Sequence, residues 1–441
     1  MRRSGATGRE VRPLPCPTVR AITDASPDRI SVNYLRFILG NSRFLGFGML
    51  LMFCSCYGQT YFISLFSAEI RREFGLTHGD FGLYYFLGTL ASGFTLAWAG
   101  RFIDIMGLRP FTLANIAGLF VATIAMALVP VAFAIPVIVC LLRLFGQGLM
   151  PLAAVTAMSR YFARDRGKAL SISTLGLPVS EAILPIVVVL AIAAIGWRWT
   201  WLASTVFLVA VILPVSLLLL RGHDARHAGY LTGSRNDDGG QAQGNWTRGQ
   251  VMRDVRFWMF APAVLSPAFI ITGFFFHQIH LAEAKGWTIS WLAGTFAAYA
   301  LTVVAFAFLS GPLIDRFTAR RLMPIQLPPL ALSVLILALF NDPLAALGYM
   351  MMAGMAIGFG HTMVNAVLAE LYGTANLGAV RGLVSAMAVC LSAMSPLLFG
   401  LLIDNGVSME SIALGCVVYI AIGFVTTIIA LRPRADAPIP R

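Results

Sequence analysis

Charge is scarce in this chain. Aspartate and glutamate together number 20 among 441 residues, and charged residues of both signs make up only 12%. The usual expectation of one soluble domain per roughly 150 residues therefore does not apply. Cysteine is as sparse: Cys54, Cys56, Cys140, Cys390 and Cys416 lie within apolar runs and Cys16 near the N-terminus. Six residues so scattered make no disulfide framework and read as small hydrophobes. No Gly-x-x-x-x-Gly-Lys-[Ser/Thr] loop occurs, which excludes ATP as a direct energy source. His-Glu-x-x-His, Gly-x-Ser-x-Gly and paired aspartates within apolar runs are missing as well, so the marks of a membrane-embedded enzyme are absent. No cofactor and no metal is expected. No apolar stretch precedes Phe44, and a cleaved signal peptide is not expected.

What the chain has instead is apolar length. Hydrophobic residues make up 58% of the positions. They fall into about twelve stretches, each near the roughly 20 residues that cross a bilayer core. The first six run roughly Phe44–Phe66, Phe81–Ala99, Phe111–Val129, Ile135–Ala157, Ala169–Ile195 and Thr200–Leu220. The second six run roughly Phe257–Leu281, Ile289–Leu313, Leu322–Phe340, Leu344–Leu368, Ala379–Ile403 and Ile412–Leu431. The reading is an all-α integral membrane protein with twelve transmembrane helices in two pseudo-symmetric six-helix halves, residues 43–220 and 257–432. A mobile tail (1–42), a polar linker (221–256) and a short C-terminal tail (433–441) complete the organisation.

The net charge of +12 does not mark a nucleic-acid surface, because the arginines are not clustered on one soluble face with interleaved aromatics. They occupy alternate connections. One set holds Arg101 and Arg109, then Arg160 to Lys168, Arg221 to Arg256, Arg316 to Arg321, Arg381 and the C-terminal arginines. The other holds only Arg71, Arg72, Arg198 and Lys285. This asymmetry predicts both termini in the cytoplasm and a multi-pass protein of the inner (plasma) membrane.

A local pattern repeats in the two halves. Gly100-Arg101-Phe102-Ile103-Asp104 with Arg109 follows the second stretch, and Gly311-Pro312-Leu313-Ile314-Asp315-Arg316 with Arg320 follows the eighth. In each copy a carboxylate stands four residues after glycine, with arginine following. Such an acid can hold the positive N-terminal end of a neighbouring helix, pair with nearby arginines, and release both when the halves rock. At these residues the chain resembles the major facilitator superfamily, whose signature in these loops is Gly-x-x-x-Asp-Arg-x-x-x-Arg; the first copy departs from it with Ile105. A finer likeness is to the branch of monocarboxylate transporters and oxalate/formate antiporters. It rests on Arg143-x-x-Gly146-x-Gly148, Tyr161-Phe162 with Arg164, Arg166 and Gly167, Gly196-Trp197-Arg198, Phe257-Trp258 and Arg381-Gly382. The Gly176-Leu177-Pro178-Val179-Ser180-Glu181 stretch lacks the Gly-Pro-x-x-Gly-Gly of drug/proton antiporters. The resemblance implies alternating access without ATP. The eighth stretch lacks the further basic residue usual in carriers of carboxylates, which favours a monoanion over a dicarboxylate.

Arg143 is the sharpest single residue, a guanidinium roughly 22 Å from the nearer end of its helix. Glu181, on the next helix, lies at a similar depth of roughly 20 Å. Uncompensated, each costs at least ~2.5 kcal/mol at the bilayer centre, so pairing or water access is required. The two are expected to share a cavity in which Arg143 attracts an anionic solute and Glu181 handles the coupling proton, the alternative being a static pair. His361 and Asn365 are expected to line the same path, with Gln59, Tyr61, Tyr57, Tyr84 and Tyr85 as weaker candidates for its polar lining. His277 and His280 share a helix face and suit a pH-sensitive vestibule. The expected function is proton-coupled transport of a small monocarboxylate-type anion; alternatives are an exporter of a metabolite or toxic compound and a transporter-like sensor. The expected partners are a small solute, protons and the lipid bilayer, with no nucleic acid, and a monomer suffices.

Overall fold

The computed structural model of the chain describes residues 27–162, 165–221, 246–373 and 376–432, and every regular element among them is helical. The N-terminal half comprises α1 (Pro27–Cys54), α2 (His78–Ala99), α3 (Leu108–Ala127), α4 (Ala132–Tyr161), α5 (Arg166–Ile195) and α6 (Trp197–Leu219). The C-terminal half comprises α7 (Val255–Phe276), α8 (Ile289–Phe317), α9 (Ala319–Leu339), α10 (Pro343–Tyr372), α11 (Leu377–Asp404) and α12 (Met409–Leu431). Eleven helices among the described residues are long and apolar enough to cross a membrane. α2 is the twelfth, and its 22 residues fall short only in hydropathy. The reason is its buried face, built from Gly79, Gly82, Tyr85, Gly88, Thr89 and Ser92.

The boundaries differ from expectation in two places. Helix starts at Pro27, inside the stretch expected to be a tail, and residues 1–26 lie outside the description. Its apolar residues are interrupted by Asp28, Arg29, Asn33, Arg36 and Arg43, which is why the sequence reads it as tail; Phe37 packs edge-on to Phe162 while Leu35 and Leu39 are exposed. Arg43 then ties α1 to the end of α6 by donating to the Leu218 and Arg221 carbonyls at 2.9 and 3.0 Å. In the linker, residues 222–245 lie outside the description, and the rest forms a short helix, Arg248–Arg253, started by a Thr247–Gln250 capping box. Trp246 stacks edge-on against Tyr372 and anchors this segment to α10.

Two helices of the N-terminal half, α1 and α4, are interrupted where they meet. α1 passes into a 3₁₀ turn at Ser55–Gly58, Gln59 is extended, and helix resumes over Thr60–Ser64. Facing this break, α4 widens into a π-helical stretch, Arg143–Leu149, a distortion often found at functional sites. The two meet glycine to glycine, since a Cβ on Gly146 would lie 2.6 Å from the Gly58 nitrogen.

The halves pack through α2 on α11, α5 on α8, and Thr60–Ser64 on α7. The hydrogen bonds between them gather at the end opposite the described termini, called here the far end. Asp404 accepts from the backbone N–H groups of His78 and Gly79 at 3.0 and 2.7 Å, capping α2 from the other half. Gln278 donates to the Tyr61 carbonyl, and Ser64 to the Phe275 carbonyl. α4 and α10 do not pack closely on each other among the described residues. The bundle is thus sealed at the far end.

Candidate functional site

The break in α1 leaves carbonyl groups without helical partners, and Arg143 reaches them from the π-helical stretch of α4. Its guanidinium is buried, donates to the Tyr85 hydroxyl, and makes longer contacts to Thr60 Oγ1 (3.4 Å) and the Gly58 carbonyl (3.5 Å). The guanidinium carbon lies 5.0 Å from the centre of the Tyr85 ring, and the Tyr85 hydroxyl is shared with Thr60 at 2.6 Å. Nε is buried and has no hydrogen-bond partner. All the oxygens that Arg143 meets are neutral, so its charge is solvated but not cancelled.

Glu181 does not supply the missing negative charge. Its half-buried carboxylate has no hydrogen bond or ion pair among the described residues. It faces the phenols of Tyr61 and Tyr299 within electrostatic range, and its neighbour Ser180 bonds the Tyr61 hydroxyl at 3.0 Å. A shared depth along two helices fixes height but not rotation about the helix axes, and here the two groups make no hydrogen bond or ion pair with each other. The structure therefore separates two clusters: Arg143 with Thr60 and Tyr85, and Glu181 with Tyr61 and Tyr299. Tyr61 and Glu181 lie within electrostatic range of each other, whereas an Arg143–Glu181 pair is not formed. Gln59 is half-buried at the break itself, where its extended backbone redirects the chain.

In the C-terminal half, α7, α9, α10 and α11 line a cavity of 440 Å³. Asn365 lines it, together with Arg381, Ser385 and Gln326. Gln326 donates to the Ala263 carbonyl at 2.8 Å, and its own carbonyl oxygen is buried without a partner. Arg381 and Gln326 escape sequence reasoning. Arg381 stands four residues inside its helix and looks like a flanking arginine, while Gln326 lies near the start of the ninth apolar stretch, where a lone neutral amide carries no charge to mark it. The side chain of His361 lies outside the description, although its backbone belongs to α10.

The second of the repeated loops also differs from expectation. Asp315 is exposed without a hydrogen bond or ion pair among the described residues, Arg316 lies over its neighbour Phe317 at 5.2 Å, and Arg109 is exposed. The acid that caps a helix here is Glu370, at the end of α10, which accepts from the N–H groups of Ala319 and Arg320 at 2.8 and 3.0 Å. In the first copy, Arg101 rests over Trp98 at 5.0 Å, Gly100 continues α2 by bonding the Leu96 carbonyl, and the side chain of Asp104 lies outside the description.

The chain matches the model of the Major Facilitator Superfamily over residues 48–298 and 278–441. It belongs to that superfamily. Solved structures agree on the fold. The crystal structure of the nucleoside transporter NupG is 11% identical, covers 88% of this chain and 98% of its own, and superposes with a TM-score of 0.67. A bacterial homologue of the human lysosomal transporter Spinster, described as inward-facing and occupied, is 16% identical, covers 92% and 97%, and gives 0.62. No curated protein matches the chain in sequence. As a member of the superfamily the chain is a multi-pass membrane transporter and not an enzyme.

Proposed function

We propose that this facilitator carries a small organic monoanion of the monocarboxylate type, coupled to protons, with both termini in the cytoplasm of a plasma membrane. One observation carries the reading: the buried Arg143 guanidinium is held by neutral oxygens only, with an unpartnered Nε. A permanent charge at that depth is costly, and a solute carboxylate would compensate it in the bound state alone. Arg381 on the wall of the C-terminal cavity offers a second cationic contact. Glu181, unpaired beside two phenols, suits a group that takes up and releases a proton. The arginine-rich terminal end supports the orientation. The closure at the far end then corresponds to an inward-facing state, and the branch likeness of the Arg143-x-x-Gly146-x-Gly148 segment supports the solute class.

The test is uptake of radiolabelled monocarboxylates, dicarboxylates and nucleosides into proteoliposomes under an imposed proton gradient, comparing wild type with Arg143→Ala and Glu181→Gln. Gradient-driven monocarboxylate uptake that vanishes in Arg143→Ala and loses its pH dependence in Glu181→Gln is expected. Uptake of nucleosides alone, insensitive to Arg143, would replace the anion reading with a neutral solute.

A further inference from the structure

We infer that the cleft between the α8–α9 turn and the end of α12 binds the headgroup of an anionic phospholipid. The cleft measures 530 Å³ and is lined by four arginines: Arg316, Arg320, Arg321 and Arg432. None of the four forms an ion pair among the described residues. Their convergence has a local cause. Thr318 adopts φ 67°, the one left-handed non-glycine residue among those described, and folds α9 sharply back from α8. A β-branched residue holds that conformation only where its surroundings enforce it. The reversal brings Arg316, before the turn, to the same mouth as Arg320 and Arg321, after it. Arg432, one residue beyond α12, closes the ring.

Arginines that end membrane helices commonly snorkel outward one by one, each in its own direction. Here they surround one concavity, and its inner wall is apolar, made by Phe317, Pro324 and Ile428. The same helices carry exposed apolar residues onward from the cleft, Val425 and Ile429 on α12 and Ile325 on α9. A ligand with a phosphate at one end and acyl chains at the other matches both halves of this lining. Basic pockets of this kind between membrane helices bind phospholipid headgroups. A free phosphate would use the arginines and leave the apolar track empty.

Native mass spectrometry of the full chain in detergent, titrated with phosphatidylglycerol, phosphatidylcholine or glycerol 3-phosphate, tests this directly. Phosphatidylglycerol is expected to stay bound while phosphatidylcholine and glycerol 3-phosphate dissociate. Arg432→Gln should weaken retention roughly five-fold, and the combination with Arg316→Gln and Arg321→Gln roughly a hundred-fold, at the surface contribution usual for one arginine. Arg109→Gln, an exposed arginine at the same end of the other half, should change nothing. Equal retention of the two lipids, or unchanged retention in both Arg432→Gln and the triple variant, would overturn the inference. Glycerol 3-phosphate that competes as well as the lipid would make the cleft a site for soluble phosphates instead.

Discussion

Lys285 pairs with Glu410 at 2.7 Å in the C-terminal half just as Arg198 pairs with Glu73 at 2.6 Å in the N-terminal half, with the signs exchanged. Each basic residue also reaches a third far-end loop. Arg198 donates to the Ala127 and Val129 carbonyls, and Lys285 to Asn341 Oδ1. Every far-end connection within a half is thereby tied to the other two, a pseudo-symmetry of position that survives inversion of charge. The Arg198 hydrogen bonds hold the Glu73 carboxyl below the ordinary carboxylate range.

The two clamps differ in burial, and stability should follow. The side chain of Lys285 is 0% exposed against 35% for Glu410, while Arg198 and Glu73 are 32% and 40% exposed. Glu410→Ala leaves a buried ammonium with one neutral partner and should cost about 2 kcal/mol, below the 3–5 kcal/mol of a fully buried pair. Glu73→Ala removes a largely solvated pair and should cost less than about 1 kcal/mol. Thermal unfolding in one detergent compares them; equal shifts would mean that burial does not govern the clamps.

Closure at the far end depends on how near α2 and α11 can approach. A Cβ on Gly82 would lie 2.6 Å from the Pro396 carbonyl oxygen and 2.9 Å from Leu397 Cα, backbone atoms that cannot rotate away. Gly93, further along the same helix, faces only a Val389 methyl at 3.5 Å. Gly82→Ala should therefore shift the population toward a state open at the far end, and Gly93→Ala should not. Thiol labelling of a cysteine placed at Ser67, which lies in the sealed region, reports the difference as a faster rate in the first variant alone. Equal labelling in both would show that the crossing has slack.

Around Arg143 the decisive partner is a hydroxyl. Tyr85→Phe removes the donor–acceptor that joins Arg143 to Thr60 and should destabilise the protein by roughly 1.5–3 kcal/mol, the worth of a hydrogen bond to a charged group. Tyr84→Phe, one residue away and only half-buried, should stay within about 0.5 kcal/mol. If both phenylalanine variants unfold like wild type, Tyr85 is not what holds the guanidinium.

Much of the architecture is legible in the sequence because long apolar runs and a charge stranded inside one have few readings. Arg143 stands out for that reason, and the two halves follow from the repeat of Gly100–Arg109 and Gly311–Arg320. What sequence hides is rotation and neutrality. The helical rise gives the depth of Glu181 but not the direction in which it points, and Tyr85 resembles any interfacial tyrosine. Glu370 is hidden for a different reason, since an acid at a helix end reads as solvated until the backbone it caps is known. The break at Ser55–Gly58 and the π-helical stretch opposite are likewise products of packing between two chain segments, and neither segment announces them alone.

Three histidines at the sealed end predict a pH response. His78 of α2 faces two histidines of the other half, with ring centres 4.5 Å from His280 and 5.7 Å from His277. His277 donates from Nε2 to the Pro396 carbonyl at 2.9 Å, beside the crossing with α2. Arg71 shares the pocket and opposes any added positive charge, while Asp404 and the exposed Glu283 oppose that effect in part. Burial and Arg71 hold the His280 imidazole below its ordinary range, which means that the closed state binds its proton less well than an opened one. The contribution to closure is fully present above the ordinary histidine pKa of about 6.5 and is lost as pH falls below it. Acid should thus open the far end. Spin labels on cysteines replacing the exposed Phe133 and Leu344, in a background with the exposed Cys390 replaced, measure the separation of the two halves there. Longer distances at pH 5 than at pH 7.5 are expected in this background. The shift should disappear when His78, His277 and His280 are all changed to glutamine; a shift that persists would place the sensor elsewhere, and its absence in the parent would mean that the cluster does not gate.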